Sequence, residues 1–243
     1  MIILRILMSS SKSAITRITR RDMKCTGLAE LGIHVIFDES DIMQASAMIV
    51  GPEGTPYEDG LLFFSVQFPP DYPFSPPQVH YISTSRHRIH PNLYVGKSHN
   101  NFKGKVCLSI INTWSGPKWT TAMDLSSILI SVQSLLCNRP ITHEPGYEKS
   151  PANIVALYND IVQYDTFKQL IHRHREPEGD FAGFKDIITA HLLAKRCAIL
   201  ERAISFHEKY PKVVTLRLQL YNIALNINTE DIVTLLTDSL NLI

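Results

Sequence analysis

The sequence predicts an α+β fold. Four short runs rich in β-branched and aromatic residues lie between residues 32 and 82, and turn residues separate them, as in a meander of antiparallel strands. From about residue 124 onward, apolar residues recur at helical spacing. Of the 243 residues, 44% are hydrophobic and 19% are charged, so the chain can bury a substantial core.

The first predicted element is an amphipathic helix from Ser11 to about Leu31, in which apolar and basic positions alternate and preceding serines are candidate N-caps. Four strands follow it, over Gly32–Phe37, Met43–Val50, Leu61–Phe68 and Gln78–Ile82. Eight prolines lie between residues 52 and 91, and proline lacks the amide donor that a sheet interior needs. We therefore expect residues 68–77 to form a rigid loop outside the sheet.

The stretch from His87 to Trp119 has no sustained periodicity, and ordered loops of that length tend to be functional. Helical spacing returns at Asp124–Cys137, with Thr120 or Thr121 available as a cap, and a second helix follows Pro151. Later segments are a linker over Arg175–Asp180, a long helix over Phe184–Lys209, a helix-or-strand segment over Val213–Leu225, and a terminal helix over Thr229–Leu240. These elements predict a core domain over residues 1–175 and a helical extension packed on it over residues 176–243.

Composition limits the function. The net charge is +1, so no overall field favours nucleic acid or a membrane. The four cysteines are far apart and form no C-x-x-C pair, which argues against a zinc ribbon or a disulfide scaffold and favours reduced thiols. The apolar N-terminal segment is short and interrupted by Arg5, so it is a poor signal peptide. We expect a cytoplasmic or nuclear protein, or one found in both places.

Cys107 is a candidate nucleophile, because it is a lone thiol flanked by a glycine, a lysine and a short apolar run. Five motifs surround it in order: GPEGTPYEDG at 51–60, FPPDYPFSPP at 68–77, HPN at 90–92, GKVCLS at 104–109, and WS at 114–115. In this order they resemble the ubiquitin-conjugating enzymes over about residues 12–172. The segments at 116–119 and 143–148 look most like the larger family members, which carry extra C-terminal helices.

Two departures from the family pattern stand out. The stretch between Asn92 and Cys107 is longer than usual, with residues 95–101 as the apparent insertion. The acidic position that follows the helix ending at Cys137 falls on either His143 or Glu144.

The resemblance implies a fold with an N-terminal helix, a four-stranded antiparallel meander, a long active-site loop and C-terminal helices. It also implies that Cys107 accepts ubiquitin as a thioester from an activating enzyme and transfers it to a substrate lysine, usually with a ligase. No metal or organic cofactor is expected, because ATP is consumed upstream. Asn92 would support the oxyanion or hold the loop that positions it. Glu144 or His143 would orient and desolvate the incoming lysine, whereas His90 is expected to be structural.

The resemblance also implies three partner surfaces, whereas the near-zero net charge predicts no nucleic-acid or membrane partner. The activating enzyme would bind the basic helix face formed by Lys12, Arg17, Arg20 and Arg21. A ligase would bind Phe74, Pro117 and Lys118, unless Phe74 packs in the core. Donor ubiquitin would contact Leu108, Ile130 and Ser134.

Three alternatives to this function remain open at the level of sequence. The chain could be a non-enzymatic module that binds ubiquitin, a carrier of another ubiquitin-like modifier, or a cysteine hydrolase that uses a histidine and an orienting Asn or Asp. A different cysteine, Cys25, Cys137 or Cys197, could also be the one that carries the modifier. The paired histidines, His87 with His90 and His172 with His174, have no partner cysteine or cluster of acidic residues and are weak candidates for a metal site.

Overall fold

A computed structural model describes residues 12–24, 26–83, 85–96, 103–175 and 179–241. They form two compact units. The first unit comprises Met1–Ile49, Leu62–Ser83 and Asn92–Leu135, and the second comprises Val50–Leu61, Thr84–Pro91 and Leu136–Ile243.

The first unit is built on one antiparallel sheet whose strands follow chain order. They are β1 (Ile33–Phe37), β2 (Gln44–Val50), β3 (Leu61–Gln67), β4 (Gln78–Ile82) and β5 (Lys103–Lys105). The predicted four-stranded meander is confirmed, with each strand within two residues of its predicted bounds. The added strand β5 lies in the stretch without periodicity, because a three-residue edge strand is too short to show an alternating pattern.

The N-terminal helix α1 is confirmed at residues 12–20, although its predicted start at Ser11 lies outside the described residues. The predicted helix was too long at its C-terminal end. Two short 3-10 helices, Asp22–Lys24 and Ala29–Leu31, occupy part of the segment that follows residue 20. Gly27 and Gly32 have left-handed backbone angles that an α-helix cannot contain.

Helix α2 covers Leu125–Leu135 and buries four apolar side chains at helical spacing, Leu125, Ile128, Leu129 and Val132. Its cap differs from the prediction. The Asp124 carboxylate accepts a hydrogen bond of 2.9 Å from the backbone N–H of Ser127, so Asp124 rather than Thr120 or Thr121 caps the helix.

The second unit consists mainly of residues that follow α2. It contains α3 (Ala152–Arg175), α4 (Lys185–Lys209), the antiparallel hairpin of β6 (Val214–Leu218) and β7 (Ile223–Ile227), and α5 (Thr229–Asn241). The segment that the sequence left open is therefore a strand, a turn and the start of a second strand. Alternating burial along β7 shows that one face of the hairpin is packed and the other is exposed.

The predicted extension, residues 176–243, thus contains a hairpin as well as helices. Of its predicted linker, residues 176–178 lie outside the described residues, and a short 3-10 helix covers Gly179–Phe184. The boundary at residue 175 stays a prediction.

Within the second unit, side chains of the extension bind residues from earlier in the chain. Arg202 on α4 donates to Glu58 at 2.9 Å and to Asp59 at 2.7 Å, both in the 50–61 turn. At the end of the same helix, Lys209 and Tyr210 both donate to Asp160 on α3. No helix in the described part of the chain is long and apolar enough to cross a membrane.

Candidate active site

Cys107 and Asn92 lie side by side in the first unit, joined by two hydrogen bonds. The backbone N–H of Cys107 donates to the carbonyl of Asn92 at 2.9 Å. The side-chain amide of Asn92 donates to the carbonyl of Cys107 at 2.8 Å. Leu93 and Val106 form the adjoining antiparallel bridge, so the HPN motif and the cysteine segment run alongside each other. Two motifs separated in sequence are therefore one structural element.

Gly104 makes this close pairing possible. A Cβ atom on Gly104 would lie 1.5 Å from the carbonyl oxygen of Tyr94, a distance that no side chain can tolerate. The Tyr94 N–H donates to Lys105 at 2.9 Å and continues the pairing that begins at Asn92. The glycine of the GKVCLS motif is thus required for close approach of two backbones.

Thr113 secures the chain on both sides of the cysteine, a role that the sequence did not predict. Its hydroxyl accepts a hydrogen bond of 2.8 Å from the N–H of Leu108. The same oxygen lies 2.8 Å from the carbonyl of Val106 and 3.1 Å from that of Leu108, and its single proton can go to either. A threonine six residues after the cysteine carries no recognisable sequence signal by itself, because its role depends on the turn that brings it back.

The hydrogen bond of Asn92 to the Cys107 carbonyl is compatible with its predicted loop-holding role, and its two predicted roles stay predictions. Its amide nitrogen is engaged by the carbonyl of Cys107, so it fixes the backbone that carries the thiol. Cys107 itself is only 2% exposed. Within the described part of the first unit, no histidine hydrogen-bonds the thiol.

Glu144 and His143 belong to the second unit, directly after α2 and at the end of a short 3-10 helix over Pro140–His143. The Glu144 carboxylate accepts a hydrogen bond of 2.5 Å from the hydroxyl of Tyr221, which lies in the turn of the β6–β7 hairpin. The sequence gave no indication of this contact, because the two residues are 77 positions apart.

His143 contacts two other residues of the second unit. Its ring lies edge-on to the buried ring of His90, with 5.0 Å between the centroids. Its Nε2 is 3.6 Å from the sulfur of Cys137. Desolvation by these surroundings lowers the pKa of His143, which favours the neutral imidazole at neutral pH. Of the two residues at the predicted acidic position, Glu144 is therefore the one that can offer negative charge.

The basic face of α1 and Phe74 line one open groove, with Pro73 and Thr121. Two of the four predicted basic residues are bound within the first unit. Arg17 donates to the carbonyl of Met123 at 2.7 Å, and Arg21 forms a 2.9 Å ion pair with Asp124. Lys12 and Arg20 are exposed and remain the residues best able to meet an acidic partner.

The two predicted ligase loops are joined by a buried tryptophan. Trp119 donates its indole N–H to the carbonyl of Pro73 at 2.7 Å. Phe74 beside it is 74% exposed, so it is not a core residue. Pro117 and Lys118 are exposed as well.

The three residues predicted to contact donor ubiquitin differ in exposure. On α2, Ile130 is 43% exposed and Ser134 is also exposed one helical turn away. Leu108 is only 8% exposed and offers little surface for such a contact.

Two features named from the sequence lie outside the described residues. They are residues 97–101 of the apparent insertion and Cys25. In the described ranges no group of three or more His, Cys, Asp or Glu side chains could hold a metal ion.

Comparison with known proteins places this geometry in a family. The sequence model described as ubiquitin-conjugating enzyme matches residues 17–174, which include Cys107, Asn92 and Glu144. The chain belongs to the ubiquitin-conjugating enzyme family. The matched residues include the five-stranded sheet, α2 and most of α3, whereas α4, the β6–β7 hairpin and α5 lie outside the match.

Two curated relatives are vertebrate members of this family. The chain is 39% identical to ubiquitin-conjugating enzyme E2 Z of Danio rerio over 163 residues, 65% of this chain and 47% of that protein. It is 40% identical to E2 Z of Homo sapiens over 141 residues, 56% of this chain and 38% of that protein. The chain therefore spans less than half the length of these relatives.

A solved structure of the E2 domain of a Toxoplasma gondii ubiquitin conjugating enzyme is similar over 68% of this chain and 97% of its own, at 23% identity and a TM-score of 0.45. A likeness this distant supports no detail of the site.

Proposed function

We propose that this chain is an active ubiquitin-conjugating enzyme in which Cys107 carries ubiquitin as a thioester. The proposal rests chiefly on the pair of hydrogen bonds between Asn92 and Cys107, which unites the HPN and cysteine motifs. It is supported by the family match over residues 17–174.

In the first transfer, the Cys107 thiolate attacks the thioester carbonyl that links the C-terminal glycine of ubiquitin to a cysteine of the activating enzyme. A new carbon–sulfur bond forms at Cys107, the old one breaks, and the activating enzyme leaves as a thiolate. No redox change occurs. ATP is used upstream to make the first thioester, so Cys107 needs no metal or organic cofactor of its own.

In the second transfer, the neutral amine of a substrate lysine attacks the thioester on Cys107. An amide bond forms, Cys107 leaves as a thiolate, and the amine loses a proton. Glu144 is the proposed acceptor-side residue, since a carboxylate can orient the lysine by hydrogen bonding and take part in its deprotonation. His143 is the weaker candidate for attracting the lysine, because an imidazole carries no negative charge, although its neutral form could still accept a proton.

The partners that follow from this reaction are ubiquitin or a related modifier, an activating enzyme, a ligase and a protein substrate. Lys12 and Arg20 are the proposed points of attraction for the activating enzyme. Phe74, Pro117 and Lys118 are the proposed ligase contacts, because exposed aromatic and proline side chains on rigid loops suit protein interfaces.

The test is a charging assay with the chain, an activating enzyme, ATP and ubiquitin, analysed on non-reducing gels. We expect an adduct that thiol reductant removes in the wild type. Cys107→Ser should give a reductant-resistant adduct, because the serine forms an oxygen ester. Cys137→Ser and Cys197→Ser are essential controls, because both thiols are more exposed than Cys107.

Each other outcome selects a different function. Loss of the reductant-sensitive adduct in Cys137→Ser, Cys197→Ser or Cys25→Ser, with the Cys107→Ser adduct still reductant-sensitive, would show that another thiol is the carrier. An adduct that forms only with a different ubiquitin-like protein would mean that this protein, and not ubiquitin, is the modifier. No adduct with any modifier would favour a non-enzymatic binding module. Rapid release of free modifier from the charged chain without an acceptor would favour hydrolysis.

A further inference from the structure

Tyr221 is a residue of the extension that reaches a proposed catalytic group. It lies in the turn between β6 and β7, and its hydroxyl donates to the Glu144 carboxylate at 2.5 Å. A phenol that donates to a carboxylate forms a charge-assisted hydrogen bond, which is stronger and more directional than one between neutral groups.

The backbone at Tyr221 is unusual. Its φ is 60° and its ψ is 11°, in the left-handed region that a bulky side chain rarely adopts. Asn222 beside it also has a positive φ of 51°. Such a conformation persists only where the surrounding contacts require it. The two positive φ angles belong to the tight turn that joins β6 to β7, and they fix the backbone from which the Tyr221 side chain extends.

Two residues hold the ring of Tyr221 in place. The guanidinium of Arg88 lies over the ring, 4.6 Å from its centroid, which is within the range of a cation–π interaction. The ring of Tyr158 on α3 lies 6.5 Å away, centroid to centroid, and is fully buried. The hydroxyl of Tyr158 donates to the Arg88 carbonyl at 2.8 Å, so the two supports are themselves joined.

Arg88 also connects this cluster to the segment that carries the HPN motif. Its guanidinium donates to the carbonyl of Pro91 at 2.7 Å. Pro91 is the middle residue of that motif. The contacts around Tyr221 therefore extend to Pro91 within the second unit.

We propose that Tyr221 is a positioning residue that holds Glu144 in the orientation used to receive the acceptor lysine. The extension then contributes to the second transfer rather than only to stability. This inference rests on the proposed function, because it gives Glu144 an acceptor-side role. It predicts that loss of the Tyr221 hydroxyl impairs lysine attack and leaves charging intact.

The experiment uses the full chain, charged with ubiquitin, purified from the activating enzyme, and mixed with increasing free lysine. Tyr221→Phe removes the hydroxyl and keeps the ring over Arg88. We expect charging at the wild-type rate and discharge to lysine slower by about tenfold, the worth of one hydrogen bond to a charged group. The slowing should include a higher half-saturating lysine concentration, because the acceptor is less well oriented.

Tyr210→Phe is the matched control. Tyr210 donates to the Asp160 carboxylate at 2.6 Å, so this variant removes an equivalent tyrosine–carboxylate bond from the same unit without touching Glu144. It should discharge to lysine at the wild-type rate. Slowing in Tyr210→Phe equal to that in Tyr221→Phe would show a general loss of structure and overturn the inference.

A double-mutant cycle with Glu144→Gln supplies the second control. Tyr221→Phe should have little further effect on lysine discharge when Glu144 is already replaced. Additive effects, or wild-type discharge in Tyr221→Phe, would contradict a positioning role. Failure of the wild-type chain to charge would instead contradict the proposed function itself, so the two failures are distinguishable.

Discussion

The Cys107 segment and the Glu144 segment are fixed in different ways. Cys107 is held mainly by backbone bonds to a motif 15 residues away, and by Thr113. Glu144 is held by a side chain 77 residues away, on a hairpin outside the region of the family match. The first arrangement follows from local motifs. The second depends on how a long extension folds.

Buried carboxylates of the two units differ in the direction of their pKa shifts. In the first unit, Asp22 is fully buried and accepts from Tyr72 and from the N–H of Leu125, both at 2.8 Å. Burial raises its pKa despite these bonds. In the second unit, burial opposes the ionisation of Asp59, but His191 and Arg202 outweigh it and hold its pKa below the ordinary value. The extension thus brings charge partners to a turn that precedes it by more than a hundred residues.

Gly104→Ala should lower stability more than any other substitution near the Cys107 segment. The added Cβ would collide with the Tyr94 carbonyl at 1.5 Å, so the backbones must separate. We expect the free energy of unfolding to fall by about 3 kcal/mol or more, with loss of charging. Urea unfolding and the charging assay measure the two effects. Lys105→Ala, at an exposed neighbouring position, is the control, and an equal loss there would show that the strand itself is fragile.

Arg202→Ala tests the charge contacts of the extension. It leaves the buried Asp59 carboxylate without its 2.7 Å partner and removes the pair with Glu58. We expect a loss of about 2 kcal/mol, below the value for a fully buried pair because Arg202 is partly exposed. Arg217→Ala, at an exposed position of the hairpin, should change stability by less than about 0.5 kcal/mol. Similar unfolding curves for both variants would mean that the ion pairs of Arg202 with Glu58 and Asp59 do not stabilise the packing of α4.

Asn92→Ala and Thr113→Val separate loop holding from oxyanion stabilisation. Each removes hydrogen bonds to the backbone around Cys107, so each should cost about 1–2 kcal/mol in unfolding free energy. If both residues act by holding the loop, the two variants should slow discharge to lysine by similar factors. A loss of about 10²-fold or more in Asn92→Ala alone would instead indicate direct stabilisation of the oxyanion.

Lowering the pH should change the contributions of Asp59 and Asp22 to the free energy of unfolding in opposite directions. Asp59 has a folded-state pKa below its ordinary value of 3.8, so its stabilising contribution is complete above that pH and is lost as the pH falls through the lower value. Asp22 has a raised folded-state pKa, so folding favours its protonated form, and its contribution is lost as the pH rises above 3.8 through the raised value.

Asp59→Asn and Asp22→Asn remove these titrations while keeping a carbonyl acceptor. Urea unfolding from about pH 3 to pH 6 should show a shallower acid loss for Asp59→Asn than for the wild type, and a steeper one for Asp22→Asn. Asparagine also tolerates the positive φ of 59° at position 59. Parallel pH profiles for the wild type and both variants would contradict the assigned directions.

Phe74→Ala should have the smallest effect on stability. Its side chain is 74% exposed, so the free energy of unfolding should change by less than about 0.5 kcal/mol. Discharge stimulated by a ligase should fall, whereas discharge to free lysine should not. A stability loss of about 2 kcal/mol would mean that Phe74 supports the loop. Unchanged ligase stimulation would remove it from the proposed interface.

The family and the elements around the Cys107 segment were predictable from sequence. Strands β1 to β4 follow from short β-forming runs and turns, and α2 follows from helical spacing, because these patterns are local. The order of five motifs predicted the family, which the match over residues 17–174 confirms. Cys107 and Asn92 were singled out in the same way, and their roles remain to be tested.

Contacts between distant residues were decided by the tertiary structure alone. No pattern near Thr113 or Tyr221 indicates its partner, because each side chain acts through a turn that returns it to another segment. The hairpin was ambiguous from its sequence, and pairing of β6 with β7 together with packing of β6 against α3 stabilises the strand. Sequence thus determined which residues could do chemistry, and long-range packing determined how Glu144 is held.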